Sequence, residues 1–312
     1  MATKEGAVKR KRVLGGAVIA LVVVVCAAAS AWSAPARASA KTSSTIPKFK
    51  HVVVVMFENH GYDDIVGNSD APTFNSLATE YAQLTDYDAV AHPSLPNYLA
   101  IVSGSTQKLK NDCPKNNCVF KGKNLADSLD KAHKTWKVYA ENLPKAGATG
   151  QYYGGTNGYV KRHVPFMWFK DISSSKKRRA HIVPFTKLAG DVSHKTLPAF
   201  SLIVPNLEDD MHNGTVAQGD TWLNTNIVPL LTSPALGSNG VVFVVFDEAM
   251  ETDTTGGGGH IDVLALGPAV TPGSTFATLT NHYGLLRTIE DAWKLPRLAK
   301  SLHATPITGI WK

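Results

Sequence analysis

Apolar runs alternate with segments of helical spacing along most of this chain. Phe49 to Phe57 contains four consecutive valines, which indicates a central strand buried on both faces. Further strands are predicted at Trp136–Ala140, Phe200–Val204, Val241–Phe246 and Ile261–Leu266. Helices are predicted at Pro72–Leu84, Asn97–Val102, Asn124–His133, Asp220–Leu231 and Asn281–Trp293. This alternation predicts one α/β domain with a mainly parallel central sheet.

The first forty residues have the pattern of a secretory signal peptide. Lys9 to Arg12 form a basic start, an uncharged run follows from Val13 to Ala36, and Ala38-Ser39-Ala40 has the A-x-A form. We predict cleavage near Ala40 and a secreted or cell-envelope protein. An uncleaved membrane anchor is the alternative, because the uncharged run is long enough to span a bilayer.

The remainder is predicted to form a linker and a single domain. The linker covers residues 41–48 and the domain covers residues 49–312. Within that domain, residues 145–184 are predicted to be an insertion that packs over the site.

The net charge of the chain comes mostly from the predicted signal peptide. Residues 1–40 hold six of the 32 Lys and Arg and one of the 25 Asp and Glu, so residues 41–312 carry a net charge of only +2. We therefore expect no nucleic-acid partner. Lys176–Arg179, with Trp168 and Phe169 nearby, is a candidate contact for an anionic lipid surface, and a solvated charge run is the alternative.

Two of the three cysteines follow the predicted signal peptide. Cys113 and Cys118 lie in one polar loop of an exported chain, a pattern that favours a disulfide. A metal-binding pair is the alternative, although no second Cys or His pair lies nearby.

Acidic clusters directly follow three of the predicted strands. Phe57 is followed by Glu58-Asn59-His60, Val204 by a segment from Pro205 to His212, and Phe246 by Asp247-Glu248. In open α/β sheets ligands bind at the carboxyl ends of strands, where such clusters would repel one another. A divalent cation would remove that repulsion, and helix N-caps are the alternative for any one cluster. The side chains suit Mg²⁺, Mn²⁺, Ca²⁺, Zn²⁺ or Fe, and their spacing does not select among these.

Ser94 is the candidate nucleophile. It precedes the predicted helix at Asn97, where free backbone N–H groups and the positive helix end suit a phosphate. A metal on its oxygen would lower the pKa of the hydroxyl. A helix N-cap without catalytic function is the alternative.

Seven motifs in order resemble the phosphoesterase family that contains bacterial acid phosphatases and phospholipases C. They are Glu58-Asn59-His60, His92 to Tyr98, Arg162 to Phe166, Pro205-Asn206 with Asp210-Met211-His212, Phe246-Asp247-Glu248, Gly257 to His260, and Asn281 to Glu290. The resemblance covers about residues 49–294. It implies the three-layer α/β sandwich of the alkaline phosphatase superfamily, with a central, mainly parallel sheet.

The resemblance also implies roles for individual residues. A divalent metal of unspecified identity would be held by these residues: Glu58, Asn59, Ser94, Asp210, Asp247 and Glu248. His163 and His212 would act in catalysis, one stabilising the charge of the phosphate and one protonating the leaving alkoxide. Asn206 and His260 would join them in binding substrate, and a ligand of a second metal is the alternative for His260. Asp209 competes with Asp210, which is favoured because it lies nearer His212.

The predicted reaction is the hydrolysis of a phosphate monoester through a phosphoserine at Ser94. The substrate would be a soluble monoester or a phosphoinositide headgroup. A phosphodiesterase of the phospholipase C type is the first alternative, and the short chain favours the monoesterase over it. A non-catalytic surface binding protein on the same fold is the remote alternative. The oligomeric state is left open.

Overall fold

The computed structural model describes residues 45–113 and 118–312. The predicted signal peptide and the first half of the predicted linker lie outside these ranges. Within them, no helix is long and apolar enough to cross a membrane.

The architecture is an eight-stranded sheet with helices packed against it. The strands are β1 Val52–Phe57, β2 Ala82–Leu84, β3 Tyr87–Asp88, β4 Trp136–Ala140, β5 Tyr152–Tyr153, β6 Tyr159–Val160, β7 Ile182–Pro184, β8 Phe200–Val204, β9 Val241–Phe246, β10 Val263–Leu266, β11 Ser274–Phe276 and β12 Thr280–Asn281. The large sheet has the order β11-β2-β10-β9-β1-β8-β4-β7, and β12-β3 and β5-β6 form two small separate pairs.

The helices divide into long ones that cover the sheet and short ones in the connections. They are α1 Tyr62–Ile65, α2 Pro72–Glu80, α3 Ser94–Ser103, α4 Leu125–Lys131, α5 Lys170–Ser173, α6 Lys176–Arg179, α7 Lys187–Ser193, α8 Val216–Asn226, α9 Val228–Leu231 and α10 His282–Trp293. Single 3₁₀ turns occur at Lys161–His163, Pro165–Trp168, Thr255–Gly257 and Ala299–His303.

The middle of the sheet is parallel and fully buried. β1 pairs with β8 on one side and β9 on the other, with Val52 opposite Phe200 and Val241. Every residue of β1, β8 and β9 is buried, as expected for strands covered by helices on both faces. Since these strands run in one direction, the polar residues that follow them meet at one edge. The predicted α/β fold with a mainly parallel sheet is confirmed, and β10 is antiparallel to β2 and β9.

Helix α3 carries the candidate nucleophile and is fully buried from Ser94 to Ser103. It ends at Gly104, which adopts the left-handed conformation with φ 67°. A Cβ there would collide with the carbonyl oxygen of Leu298, so only glycine permits this close approach. This close contact anchors the C-terminal end of α3. Ser94, at the opposite end of the helix, faces the ends of β1 and β9.

Several predicted helices have other bounds in the structure. The helix predicted to begin at Asn97 begins at Ser94 instead. The helix predicted to run to Leu84 ends at Glu80, because Ala82 and Leu84 alternate with Gln83 as buried positions of β2. The helix predicted from Asp220 begins earlier, at Val216, with Thr215 as its cap. It breaks at Ile227, before Pro229 in α9.

The segment predicted as an insertion, residues 145–184, has structure of its own. It contains β5, β6, α5, α6 and two of the 3₁₀ turns, and it brings His163 into the buried interior. Its last residues form β7, the edge strand beside β4. The predicted disulfide between Cys113 and Cys118, in the loop between α3 and α4, is confirmed, with a Cα–Cα distance of 6.1 Å.

Candidate active site

Four buried carboxylates meet at the carboxyl ends of the central strands. Glu58 follows β1, Asp247 and Glu248 follow β9, and Asp210 lies in the loop after β8. We call these four residues the carboxylate centre. The backbone joins the segments directly, since the N–H of Glu58 donates to the carbonyl of Asp210 at 2.8 Å. All four residues are at most 3% exposed.

Ser94 lies between two members of this centre. Its Oγ is 3.0 Å from Oε2 of Glu58 and 3.1 Å from Oε1 of Glu248, with both carboxylates placed to accept from it. A hydroxyl has a single proton, so it donates to one carboxylate at a time. The hydroxyl oxygen is thus surrounded by groups able to take its proton, at the first residue of α3.

Tyr98 is a site residue that the sequence reasoning did not assign. It lies one helical turn after Ser94, and its hydroxyl donates to Oε1 of Glu58 at 2.6 Å. Its ring stacks on His163 at 5.0 Å between centroids. The i, i+4 spacing within the quoted motif was the available signal, because these positions share a helix face.

His163 is wedged between two carboxylates. Its Nε2 is 3.1 Å from Oε1 of Glu58, and its Nδ1 is 3.2 Å from Oδ2 of Asp210. Neither ring nitrogen makes a well-aligned hydrogen bond. Burial, followed by the nearby charges of Arg162 and His212, holds the pKa of His163 well below its usual value. A neutral imidazole here is able to act as a metal ligand.

Crowding and burial keep the carboxylate centre from ionising fully by itself. Burial raises the pKa of Glu58 to about 7 and that of Glu248 to about 9, and the charge of Glu58 adds to the effect on Glu248. The pKa values of Asp210 and Asp247 are raised well above normal, first by burial and then by neighbouring carboxylates. A cation among these groups would reverse the shifts.

The residues present fit a divalent cation. Oδ2 of Asp210 and Oδ2 of Asp247 are buried without a hydrogen-bond partner. Ligand atoms of Glu58, His163 and Asp210 lie within 4.8 Å of one another. Carboxylate oxygens and an imidazole nitrogen are a donor set for such an ion, and orphaned buried oxygens are otherwise costly. His163 thus joins the predicted ligands, although it was predicted to act on the phosphate.

Asn59 and Asp247 are held in place by the backbone. The N–H of Asn59 donates to Oδ1 of Asp247 at 3.3 Å, and Asn59 has a φ of 56°. Asparagine tolerates this left-handed conformation better than most residues. Nε2 of His282 donates to the carbonyl of Asp247 at 2.7 Å. These contacts orient the end of β9 toward the carboxylate centre.

His212 lies at the outer side of His163, with 6.0 Å between ring centroids. Its Nε2 accepts from Nη2 of Arg162 at 3.0 Å, and its Nδ1 donates to Oδ1 of Asn213 at 2.7 Å. Burial lowers the pKa of His212. Arg162 therefore adds a cation beside the centre that the sequence reasoning quoted in a motif without giving it a role.

His92 is another residue of the site to which the sequence reasoning gave no role. Its Nδ1 is 2.6 Å from Oε2 of Glu248, and its Nε2 is 2.8 Å from the carbonyl of Asp253. It joins Glu248 to the loop after β9. Its place two residues before Ser94 was the only signal in the sequence.

Two predicted substrate contacts point elsewhere. The side chain of Asn206 accepts from the N–H groups of Glu208 and Asp209 and donates to the Asp209 carboxylate, so it shapes the turn after β8. The ring of His260 stacks on Tyr62 at 4.6 Å, and its Nε2 faces the carbonyl of Thr85. Among the described contacts, neither side chain reaches Ser94 or the carboxylate centre.

Comparison with known sequences identifies the family. The profile of the phosphoesterase family matches residues 68–296. The chain belongs to the phosphoesterase family. Ser94, His163, Asp210 and Asp247 lie inside the matched range of this phosphoesterase, and Glu58 precedes it.

Curated relatives cover most of this phosphoesterase. It is 35% identical over 296 residues to the phosphatidylinositol-3-phosphatase of Mycobacterium tuberculosis, a match that covers 94% of both chains. It is 30% identical to the phosphate-repressible acid phosphatase of Penicillium chrysogenum over 81% of this chain and 61% of that protein. The chain thus spans about three fifths of the length of that fungal relative.

Solved structures agree with the fold. A protein of the alkaline phosphatase superfamily from Vibrio parahaemolyticus superimposes with a TM-score of 0.56 at 15% identity, over 86% of this chain and 72% of that one. The lipoteichoic acid synthase LtaP from Listeria monocytogenes gives 0.56 at 11% identity, over 84% and 78%. The predicted family, fold and enzyme class, a hydrolase of phosphate esters, are confirmed, and the relatives' names agree with a phosphoric monoester hydrolase.

Proposed function

We propose that this phosphoesterase is an exported, metal-dependent phosphatase that hydrolyses phosphate monoesters through a phosphoserine at Ser94. The observation that carries the proposal is the position of the Ser94 hydroxyl at a helix N-terminus, between Glu58 and Glu248. That position combines a nucleophile with proton acceptors and with backbone N–H groups for an anion. The disulfide fits an exported protein.

The first step would form the phosphoserine. Ser94 gives its proton to Glu58 or Glu248, and its oxygen attacks phosphorus while the bond to the leaving alkoxide breaks. Arg162 and the N–H groups at the start of α3 would hold the phosphate oxygens. His212 is the better candidate for protonating the alkoxide, because it lies outside the ring of carboxylates that encloses His163.

The second step would release phosphate. Water gives a proton to His212 as it attacks the phosphoserine, and the Ser94 oxygen leaves and regains its proton from one of the two glutamates. Tyr98 would keep Glu58 aimed at Ser94 through both steps.

A divalent cation would be held by the carboxylate centre with Ser94, with His163 as a further ligand and Asn59 adjacent. When bound, it would supply positive charge that favours the serine alkoxide and offsets the charge of the phosphate. The identity of the ion is left to experiment.

The first substrate to test is a phosphoinositide. The relative from M. tuberculosis is named for phosphatidylinositol 3-phosphate chemistry and covers nearly the whole chain. Contact with an anionic lipid surface would rest mainly on Lys176 and Lys177, which are exposed. Arg178 and Arg179 are instead bonded within the chain, to carboxylates and to the carbonyl of Ser173.

The test is hydrolysis by the metal-stripped protein with and without added divalent metals. Substrates would be a chromogenic phosphate monoester, the matching diester, and vesicles that contain phosphatidylinositol 3-phosphate. Metal-dependent monoester turnover supports the proposal, and turnover of the vesicles supports the lipid substrate. Turnover of the diester alone would indicate a phosphodiesterase, and no turnover with any metal would contradict both.

A further inference from the structure

Asp112 occupies the anion-binding end of α3. Its Oδ1 accepts from the N–H of Leu95 at 2.9 Å. Leu95 directly follows Ser94, so its N–H is one of the free donors that a phosphate on Ser94 would use. A carboxylate of the chain itself thus bonds a group that the proposed substrate needs.

The same carboxylate faces the cation beside the site. Its Oδ2 is 3.6 Å from Nε of Arg162, whose guanidinium also bonds His212. Arg162 and the Leu95 N–H come from separate parts of the chain, and both are donors typical of phosphate sites. Asp112 therefore stands where two phosphate donors converge.

The charge of Asp112 acts on two residues of the carboxylate centre. It adds to the effect of burial in raising the pKa values of Glu58 and Glu248, although it is one of the smaller causes. Its side chain is 29% exposed, so it is able to turn toward solvent. The backbone beside it is fixed, since Cys113 is 2% exposed and its N–H donates to Oδ1 of Asn111 at 2.9 Å.

We propose that Asp112 is a resident anion that competes with phosphate for the Leu95 N–H and Arg162. Resting on the proposed function, this role weakens the binding of substrate and product alike, and it speeds the release of inorganic phosphate. The residue acts through the donors that it occupies and is a positioning residue. Removal of its charge is expected to tighten phosphate binding.

The experiment compares Asp112→Asn and Asp112→Glu with the wild type. Binding of inorganic phosphate to the metal-loaded full chain is measured by calorimetry, and kcat and KM are measured on a phosphate monoester. We expect Asp112→Asn to lower the Kd for phosphate and the KM about tenfold, from the loss of one like charge at close range. Asp112→Glu keeps the charge and is expected to stay within about twofold of wild type. Asp70→Asn, which removes an exposed carboxylate elsewhere, is the control for net charge.

Other outcomes overturn the inference in distinguishable ways. If Asp112→Asn binds phosphate equally or more weakly while kcat falls, Asp112 merely caps α3 and supports Ser94. The same conclusion follows if Asp112→Glu and Asp112→Asn change alike. If the wild type neither binds phosphate nor turns over any ester with any metal, the proposed function fails and the inference with it.

Discussion

This protein has two crowded groups of acidic side chains, and their negative charge is balanced in different ways. In the carboxylate centre, His163 is kept neutral and Arg162 lies outside the group of acids. In what we call the Arg178 cluster, one guanidinium serves Asp127, Asp130 and Asp171. It lies 3.0 Å from the carboxylate of Asp127, 3.1 Å from that of Asp130, and in direct contact with Asp171.

The difference separates an acidic cluster that supports the fold from one that binds a ligand. The Arg178 cluster is partly exposed and carries its own cation, so it ties α4, α5 and α6 together without help. The carboxylate centre is buried and leaves two oxygens without partners. A buried group of acids that the chain does not neutralise is the arrangement that a cation completes.

The largest expected effect is on catalysis at Ser94. Ser94→Ala removes the nucleophile, and kcat should fall on the order of 10⁴- to 10⁶-fold. The matched control is Ser103→Ala in the same buried helix, whose hydroxyl bonds the carbonyl of Leu99 at 2.8 Å. Steady-state kinetics on a phosphate monoester decides. Comparable losses in both variants would mean that α3 matters only as structure.

A divalent cation should stabilise the protein through the carboxylate centre. At a hundredfold excess over Kd the gain is about 2.7 kcal/mol, or roughly 5–10 °C in thermal midpoint for a chain of this size. Asp210→Asn should lose most of this gain and leave the metal-free protein at least as stable as wild type, because it relieves repulsion. Asp171→Asn in the Arg178 cluster should keep the gain. Equal losses in the two variants, seen by calorimetry, would erase the distinction between the clusters.

Removal of the cation from the Arg178 cluster should destabilise the fold. Arg178→Met leaves three carboxylates facing one another, and the free energy of unfolding should fall by about 2 kcal/mol, less than for a fully buried pair because the acids are partly exposed. Lys177→Met, at the exposed neighbouring position, is the control and should change it by no more than about 0.5 kcal/mol. Chemical denaturation measures both. If the free energy of unfolding of Arg178→Met equals that of wild type, these ion pairs do not contribute to stability.

Glu290 is a third kind of buried acid, because neutral groups donate hydrogen bonds to it, and it should make the free energy of unfolding depend on pH. Glu290 accepts from the Leu298 N–H at 2.9 Å and the Ser301 hydroxyl at 2.5 Å, and burial raises its pKa to about 7. The stability that protonated Glu290 contributes is therefore complete below the pKa of this side chain in the unfolded chain, and it is lost as the pH rises through about 7. Between pH 5 and 7, the stability of wild type relative to Glu290→Gln should fall by about 2 kcal/mol. Exposed Glu80→Gln is the control, and a pH-independent difference would contradict the assignment.

The main elements of the fold could be predicted from the sequence because they depend on local pattern. Three strands, among them Val241–Phe246, have the predicted bounds, and α10 ends at the predicted Trp293. The helix predicted through Leu84 was wrong because partner strands, which lie far along the chain, decide where a short buried segment becomes β2. Element ends of this kind depend on tertiary contacts.

The candidate site shows the same division between features set by local sequence pattern and features set by tertiary contacts. The sequence by itself determined that acids directly follow three buried strands and that Ser94 lies close to the start of a helix, since apolar runs and helical spacing are local patterns. Only the tertiary structure decided that Tyr98 bonds Glu58, that His163 lies between two carboxylates, and that Asp112 reaches the N–H of Leu95. It also turned the side chain of His260 away toward Tyr62. These choices depend on side-chain direction and on contacts between distant segments, which residue types and spacing do not encode.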